Sequence, residues 1–105
     1  MAVIYKYPLL LRHENYLDLP PGAKLLSCQE QNEQVTLWFQ LEQTDQEEER
    51  LFVIHGTGCS WSVPEGFKDV YQDTIVMKDG MVWHVYERVL RFNPDKLLGD
   101  MLGVK

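Results

Sequence analysis

The sequence predicts an all-β domain, a mainly antiparallel sandwich or meander carrying one short C-terminal helix. Runs rich in β-branched and aromatic residues recur at short spacing with turn signals between them, which is the pattern of that class. Three Trp, five Tyr and four Phe supply large buried areas and favour pleated strands over helices. A length of 105 residues is that of one domain, which buries roughly two-thirds of the surface its unfolded chain exposes. No repeat, low-complexity linker or composition break divides the chain, so a single domain over 1–105 is expected, with its β core at about 4–87.

Strands are expected near 2–7, 14–19, 23–30, 34–42, 50–55, 72–78 and 81–88. The first lies in an apolar N-terminal stretch that Lys6, Pro8, Arg12 and His13 interrupt. That stretch is too short to cross a bilayer and too broken for a signal-peptide core, so the expected location is the cytoplasm. Between the second and third strands, Pro20-Pro21-Gly22 fits a type II turn, with Pro21 at the first central position and Gly22 at the positive-φ second one. In the fourth, Val35, Leu37, Phe39 and Leu41 alternate with Thr36, Trp38, Gln40 and Glu42, which puts one face in the core and leaves the other mixed. Trp38 lies on the mixed face, either covered by a loop or strand or exposed as a partner contact.

The last two strands meet at Lys78-Asp79-Gly80-Met81, where Asp-Gly offers the two positive-φ positions of a type I′ turn. Counting outward from that turn pairs Val76 with Trp83, Ile75 with His84 and Asp73 with Tyr86. Asp73, His84 and Tyr86 would then share one face with Ile75, Met77 and Val82. At the C-terminus, Asn93 caps, Pro94 fits the first helical position, and Leu97, Leu98, Met101 and Leu102 form an apolar stripe ended by Gly103. A helix over 93–103 is too short to stand alone in water and is expected to dock on its own sheet or on another subunit.

The formal charge of −6 is uneven: Glu42, Asp45, Glu47, Glu48 and Glu49 crowd one segment against the single Arg50. An acidic domain gains nothing from the counterion release that drives nucleic-acid binding, so nonspecific nucleic-acid binding is not expected. Glu47, Glu48 and Glu49 are expected in a solvated loop, and together with Trp38 they are the candidate contacts for a basic protein partner. Cys28 and Cys59, in a chain without an export signal, are expected to be free buried thiols.

The densest candidate ligand site is His55, Gly56, Thr57, Gly58, Ser60 and Trp61, directly after the apolar strand Leu51 to Ile54. Two close glycines let the backbone approach a ligand, and loop amides with the Thr57 and Ser60 hydroxyls suit an anionic group. The segment lacks the lysine and the length of a phosphate-binding loop and equally fits a glycine turn closing a strand. His55, Cys59, His84 and Cys28 lack the paired spacing of a metal site, and neither metal nor cofactor is expected. A nucleophilic Cys59 with His84 as base and Asp73 as orienter has the right residue types but a spacing diagnostic of no enzyme class.

The succession Tyr5-Lys6-Tyr7-Pro8, Leu19-Pro20-Pro21-Gly22-Ala23-Lys24-Leu25-Leu26, Leu37-Trp38, Gly56-Thr57-Gly58 and Val82-Trp83-His84-Val85-Tyr86-Glu87 resembles a small domain of unknown function found in bacteriophage and prophage genomes. The likeness covers about 4–87 and implies an all-β, phage-associated domain without known catalytic residues. Cys59 stands where the usual pattern has His after the Gly-Thr-Gly, a departure that speaks against a catalytic or metal role there. Residues from about 88 to 105, with Arg88 and Arg91, lie outside it.

The expected function is that of a non-enzymatic binding module. In the phage setting it would be an accessory or counter-defence protein that blocks a host protein or sequesters a small nucleotide-type ligand. A virion structural or assembly protein, homo-oligomeric through its helix or sheet edges, is the alternative, and a Cys/His-dependent enzyme the third.

Overall fold

The computed structural model describes residues 1–91. The expected C-terminal helix lies outside the described residues. Within them the chain forms seven strands: β1 (Ala2–Pro8), β2 (Glu14–Leu19), β3 (Lys24–Gln31), β4 (Gln34–Glu42), β5 (Glu48–Gly56), β6 (Phe67–Val76) and β7 (Val82–Leu90). Every pairing is antiparallel, in a three-stranded sheet of order β1-β4-β3 and a four-stranded sheet of order β2-β5-β7-β6. The all-β reading therefore holds, and all seven expected strands are present.

The period-two pattern of β4 works as expected. Val35, Leu37, Phe39 and Leu41 are buried and meet Phe52 and Ile54 of β5, Ile75 of β6 and Val85 of β7 in one core between the sheets. Phe39 and Phe52 join the two layers edge to face at 5.7 Å, and Tyr7 packs on Phe39 at 5.6 Å. Arg50 closes one end of this core, its guanidinium 5.5 Å from each of the Phe39 and Phe52 rings. Its Nε and Nη2 donate to the Glu87 carboxylate at 2.7 and 2.8 Å, and its Nη1 donates to the Ala23 carbonyl at 2.6 Å. A charge at the core edge is tolerated because its donors are matched this closely.

The turns decide the faces. Pro20-Pro21-Gly22 closes as read, with the Ala23 amide donating to the Pro20 carbonyl at 3.2 Å and Gly22 at φ 77°. The β6–β7 turn does not. Asp79 has no positive φ; Gly80 alone does, at 89°. The Gly80 amide donates to the Met77 carbonyl at 2.9 Å, and the Met77 amide donates to the Met81 carbonyl at 2.8 Å. Lys78 to Gly80 thus form a three-residue loop, a type I turn finished by a left-handed glycine, rather than a two-residue type I′ turn. The Asp79 carboxylate fixes it by accepting the Met81 amide at 2.9 Å.

One extra loop residue slips the register by one and turns every side chain over. Val76 pairs with Val82, Ile75 with Trp83, Thr74 with His84 and Asp73 with Val85, and a bulge between Tyr71 and Asp73 then shifts the pairing by one more residue to set Tyr71 opposite Tyr86. The expected pairs of Val76 with Trp83, Ile75 with His84 and Asp73 with Tyr86 are therefore corrected. Asp73 points inward, where its carboxylate accepts the Cys28 amide of the neighbouring edge strand at 3.4 Å. His84 and Tyr86 lie on the outer face. A type I′ turn does occur, at Asn32-Glu33 between β3 and β4, with φ of 52° and 64°.

Two further expectations need correction. β5 begins at Glu48, so Glu48 and Glu49 are strand residues opposite Leu19 and Asp18, and only Glu47 stays in the connection. Both thiols are free, but only Cys28 is buried, and Cys59 is exposed. Burial, with Asp73 nearby, pushes the Cys28 thiol up to about 12.

Candidate functional site

The candidate site forms where β5 ends and the segment 57–66 crosses the outer face of the four-stranded sheet. After Gly56, the Thr57 amide donates to the Val82 carbonyl at 3.3 Å, and the Cys59 amide closes a turn on the Gly56 carbonyl at 3.1 Å. That turn requires Gly58, which sits at φ 88° with open space around it. The chain then lays Trp61 against the sheet, its ring stacked on His55 at 3.8 Å and 15°. Its indole N–H donates to Asp69 Oδ2 at 3.0 Å. Asp69 is itself held by Arg88, which donates from Nε at 2.8 Å and from Nη2 at 3.0 Å. Trp61 is thereby fixed on one ring face and one edge while remaining 40% exposed.

All three histidines of the chain converge here. His55 is 4% exposed, and its Nε2 is buried without a hydrogen-bond partner among the described residues. Burial, reinforced by His13, lowers its pKa from the ordinary imidazole value. The His13 ring lies 4.7 Å from it, held in place as the His13 carbonyl accepts the Ile54 amide at 3.1 Å. His84 is the cross-strand neighbour of His55. Its Nε2 is 2.8 Å from Thr57 Oγ1 and its Nδ1 3.0 Å from Thr74 Oγ1, which is in turn 2.6 Å from the Tyr71 hydroxyl. This relay ties the glycine loop to the sheet.

Two shallow recesses open beside Trp61. One, of about 290 Å³, lies between Trp61 and Trp83, with Arg12 and His13 on its wall and Gly56 and Cys59 also lining it. Gly56 sits between Cys59 and Trp83, where a Cβ would meet the Cys59 sulfur at 3.4 Å and the Trp83 ring at 3.5 Å, ordinary van der Waals contact. The other, of about 220 Å³, is bounded by Thr57, Gly58, His84 and Tyr86.

Of the residues singled out from sequence, His55, Gly56 and Trp61 line both recesses, Ser60 the first, and Thr57 and Gly58 the second. The Thr57 and Cys59 amides and the Thr57 hydroxyl are engaged within the protein. Trp38 lies half-buried on β4 between Lys6 and Ser27. It is therefore on the outer face of the other sheet, away from both this site and Glu47, Glu48 and Glu49. Cys59 and His84 line the same smaller recess, but Asp73 does not join them, because Asp73 and His84 point to opposite faces of the sheet. No group of three or more His, Cys, Asp or Glu among the described residues could hold a metal ion. Sequence reasoning missed Arg12, His13, Trp83, Asp69 and Arg88. Only the correct hairpin register would have brought out Trp83, and no spacing signal marks the others.

The family model described as Domain of unknown function (DUF7352) matches residues 1–94, and the chain belongs to this family. No curated protein matches, and no solved structure does. Among the described residues, no helix is long and apolar enough to cross a membrane.

Proposed function

We propose, for a chain whose family carries no assigned activity, that this is a non-enzymatic binding module with its site between Trp61 and Trp83. The ligand is of the small nucleotide type, a planar ring bearing phosphate. The observation that carries this reading is the anchored but exposed Trp61, beside which Arg12, His13 and His55 collect in a chain of net charge −6. An indole held on one face offers the other to a base, and such stacking contributes about 1–3 kcal/mol. A recess of about 290 Å³ accepts a ring and leaves phosphate at the rim, within reach of Arg12 and His13. The separation of Asp73 from His84 favours binding over turnover, since both ring nitrogens of His84 are engaged by the Thr57 and Thr74 hydroxyls and no carboxylate orients it as a base for Cys59. In the phage setting that the sequence resemblance implies, the module would act as an accessory protein that sequesters a nucleotide signal of the host.

Native mass spectrometry of protein purified from cells, followed by calorimetric titration with mono- and dinucleotides, tests this. Binding should fall at least about tenfold in Trp61→Ala, the loss of one stacking contact. It should also be lost in Gly58→Val, while Cys59→Ser retains it. No binding by any nucleotide at millimolar concentration would overturn the reading. Turnover abolished by Cys59→Ser would put the enzyme in its place.

A further inference from the structure

About four residues back along β5, the outer face carries a second feature that the histidine site does not use. An open groove of about 560 Å³ runs beside β2, β5 and β7, reaching the start of β6. Its apolar lining includes Tyr16, Leu51, Phe67 and Leu90, of which Tyr16 is 53%, Phe67 38% and Leu90 49% exposed. Its acidic lining includes Glu48 and Glu49.

The charge balance of the groove is one-sided. Its two arginines are already matched, Arg50 by Glu87 and Arg88 by Asp69. Glu48 and Glu49 make no ion pair among the described residues, and Glu14 comes only within 3.8 Å of Arg88. The β2–β5 register also sets Asp18 directly opposite Glu49, a like-charge pair that destabilises a bare sheet edge and that an incoming cation would relieve. Apolar side chains beneath carboxylates that are unpaired among the described residues, at a strand that is a sheet edge among them, select a particular kind of partner.

We infer that this groove docks an extended segment of another protein in which Lys or Arg alternates with apolar residues. The apolar side chains cover Tyr16 and Leu90, and the cations meet Glu48 and Glu49. Phosphate-bearing ligands are repelled by the same carboxylates. A second copy of this chain is disfavoured as occupant, since it would bring its own net charge of −6 against them. The groove does not rest on the nucleotide reading: neither Trp61 nor any histidine lines it, and the two surfaces are linked only through Arg88, which lines the groove and holds Asp69.

The test titrates a capped decapeptide of alternating lysine and leucine into the isotope-labelled full chain at low salt, followed by amide chemical shifts, with alternating glutamate and leucine as control. Shifts should centre on Tyr16, Glu49, Leu51 and Leu90. Leu90→Asp should weaken binding about tenfold, as removal of a central apolar anchor does. Glu48→Gln with Glu49→Gln should weaken it about threefold or more, with reduced salt dependence. Tyr16→Ser serves as a second anchor variant should Leu90→Asp lower the melting temperature. Trp61→Ala should leave peptide binding unchanged, which separates this surface from the nucleotide site. Shifts spread evenly over the acidic surface, equal binding by trilysine, or a self-associated form dissolved by Leu90→Asp would each overturn the inference. So would the absence of any shift in the full chain.

Discussion

Asp69 joins the stability of the sheet to the candidate site, and its removal is the most informative single perturbation. In Asp69→Ala, the Arg88 guanidinium loses acceptors at 2.8 and 3.0 Å, and the Trp61 indole loses its only one. The Arg88 side chain is 4% exposed, so water cannot replace them; the nearest other carboxylate, Glu14, is 3.8 Å away and 44% exposed. Breaking a buried pair from one side costs about 3–5 kcal/mol, and Glu14 places this case near the lower end. That is a large part of a domain stability of about 5–15 kcal/mol. Replacing both partners, Asp69→Leu with Arg88→Met, removes charge and counter-charge together and should cost no more than about 1 kcal/mol. Urea unfolding of wild type, Asp69→Leu, Arg88→Met and the double variant, with Asp69→Ala alongside, followed by far-ultraviolet circular dichroism, gives the coupling. A loss below about 1 kcal/mol in Asp69→Ala, or additive losses in the double variant, would refute the role assigned to the pair.

Gly80→Val should destabilise by about 1 kcal/mol or more, because φ 89° is strained for a side chain; an unchanged melting curve would contradict the three-residue loop. Glu33→Gly should instead raise stability by roughly 0.5–1 kcal/mol, seen as a higher melting temperature, since it relieves φ 64° at the type I′ turn against a smaller entropy cost. The lowered pKa of His55 means the unfolded chain binds the proton more readily. Its contribution to stability is thus complete above the ordinary value of 6.5 and is lost as pH falls through the lower folded value. His55→Phe should flatten unfolding free energy against pH in that window, and a slope equal to wild type would remove His55 as its source.

Where local chemistry decided an element, the sequence was legible. The alternation of β4 set its core face, and Pro21-Gly22 set its turn, because both signals act over two to four residues. The β6–β7 hairpin shows where such reasoning stops. Asp79-Gly80 carries the composition of a type I′ turn, but the Asp79 carboxylate accepting the Met81 amide stabilises a loop one residue longer. Conversely, Asn32-Glu33 adopts type I′ geometry without glycine; Asn32 suits the first positive-φ position, but Glu33 at the second gives no such signal. Turn residues constrain the options, while the packing of the strands they join selects among them.

That single-residue difference decides what the candidate site is. In the register read from Asp-Gly, His84 would be a core residue beside Ile75, and Asp73 would share its face, as a catalytic relay requires. In the observed register, Asp73 serves the Cys28 amide at the inner edge, and His84 joins His55 on the outer face. His84 then supports the glycine loop through Thr57, and that loop carries Trp61 to His55. The same slip puts Trp83 on the inner side at the strand end, where it lines the same recess as Trp61. The three-residue loop thereby separates Asp73 from His84 and leaves Trp61 and Trp83 lining one recess.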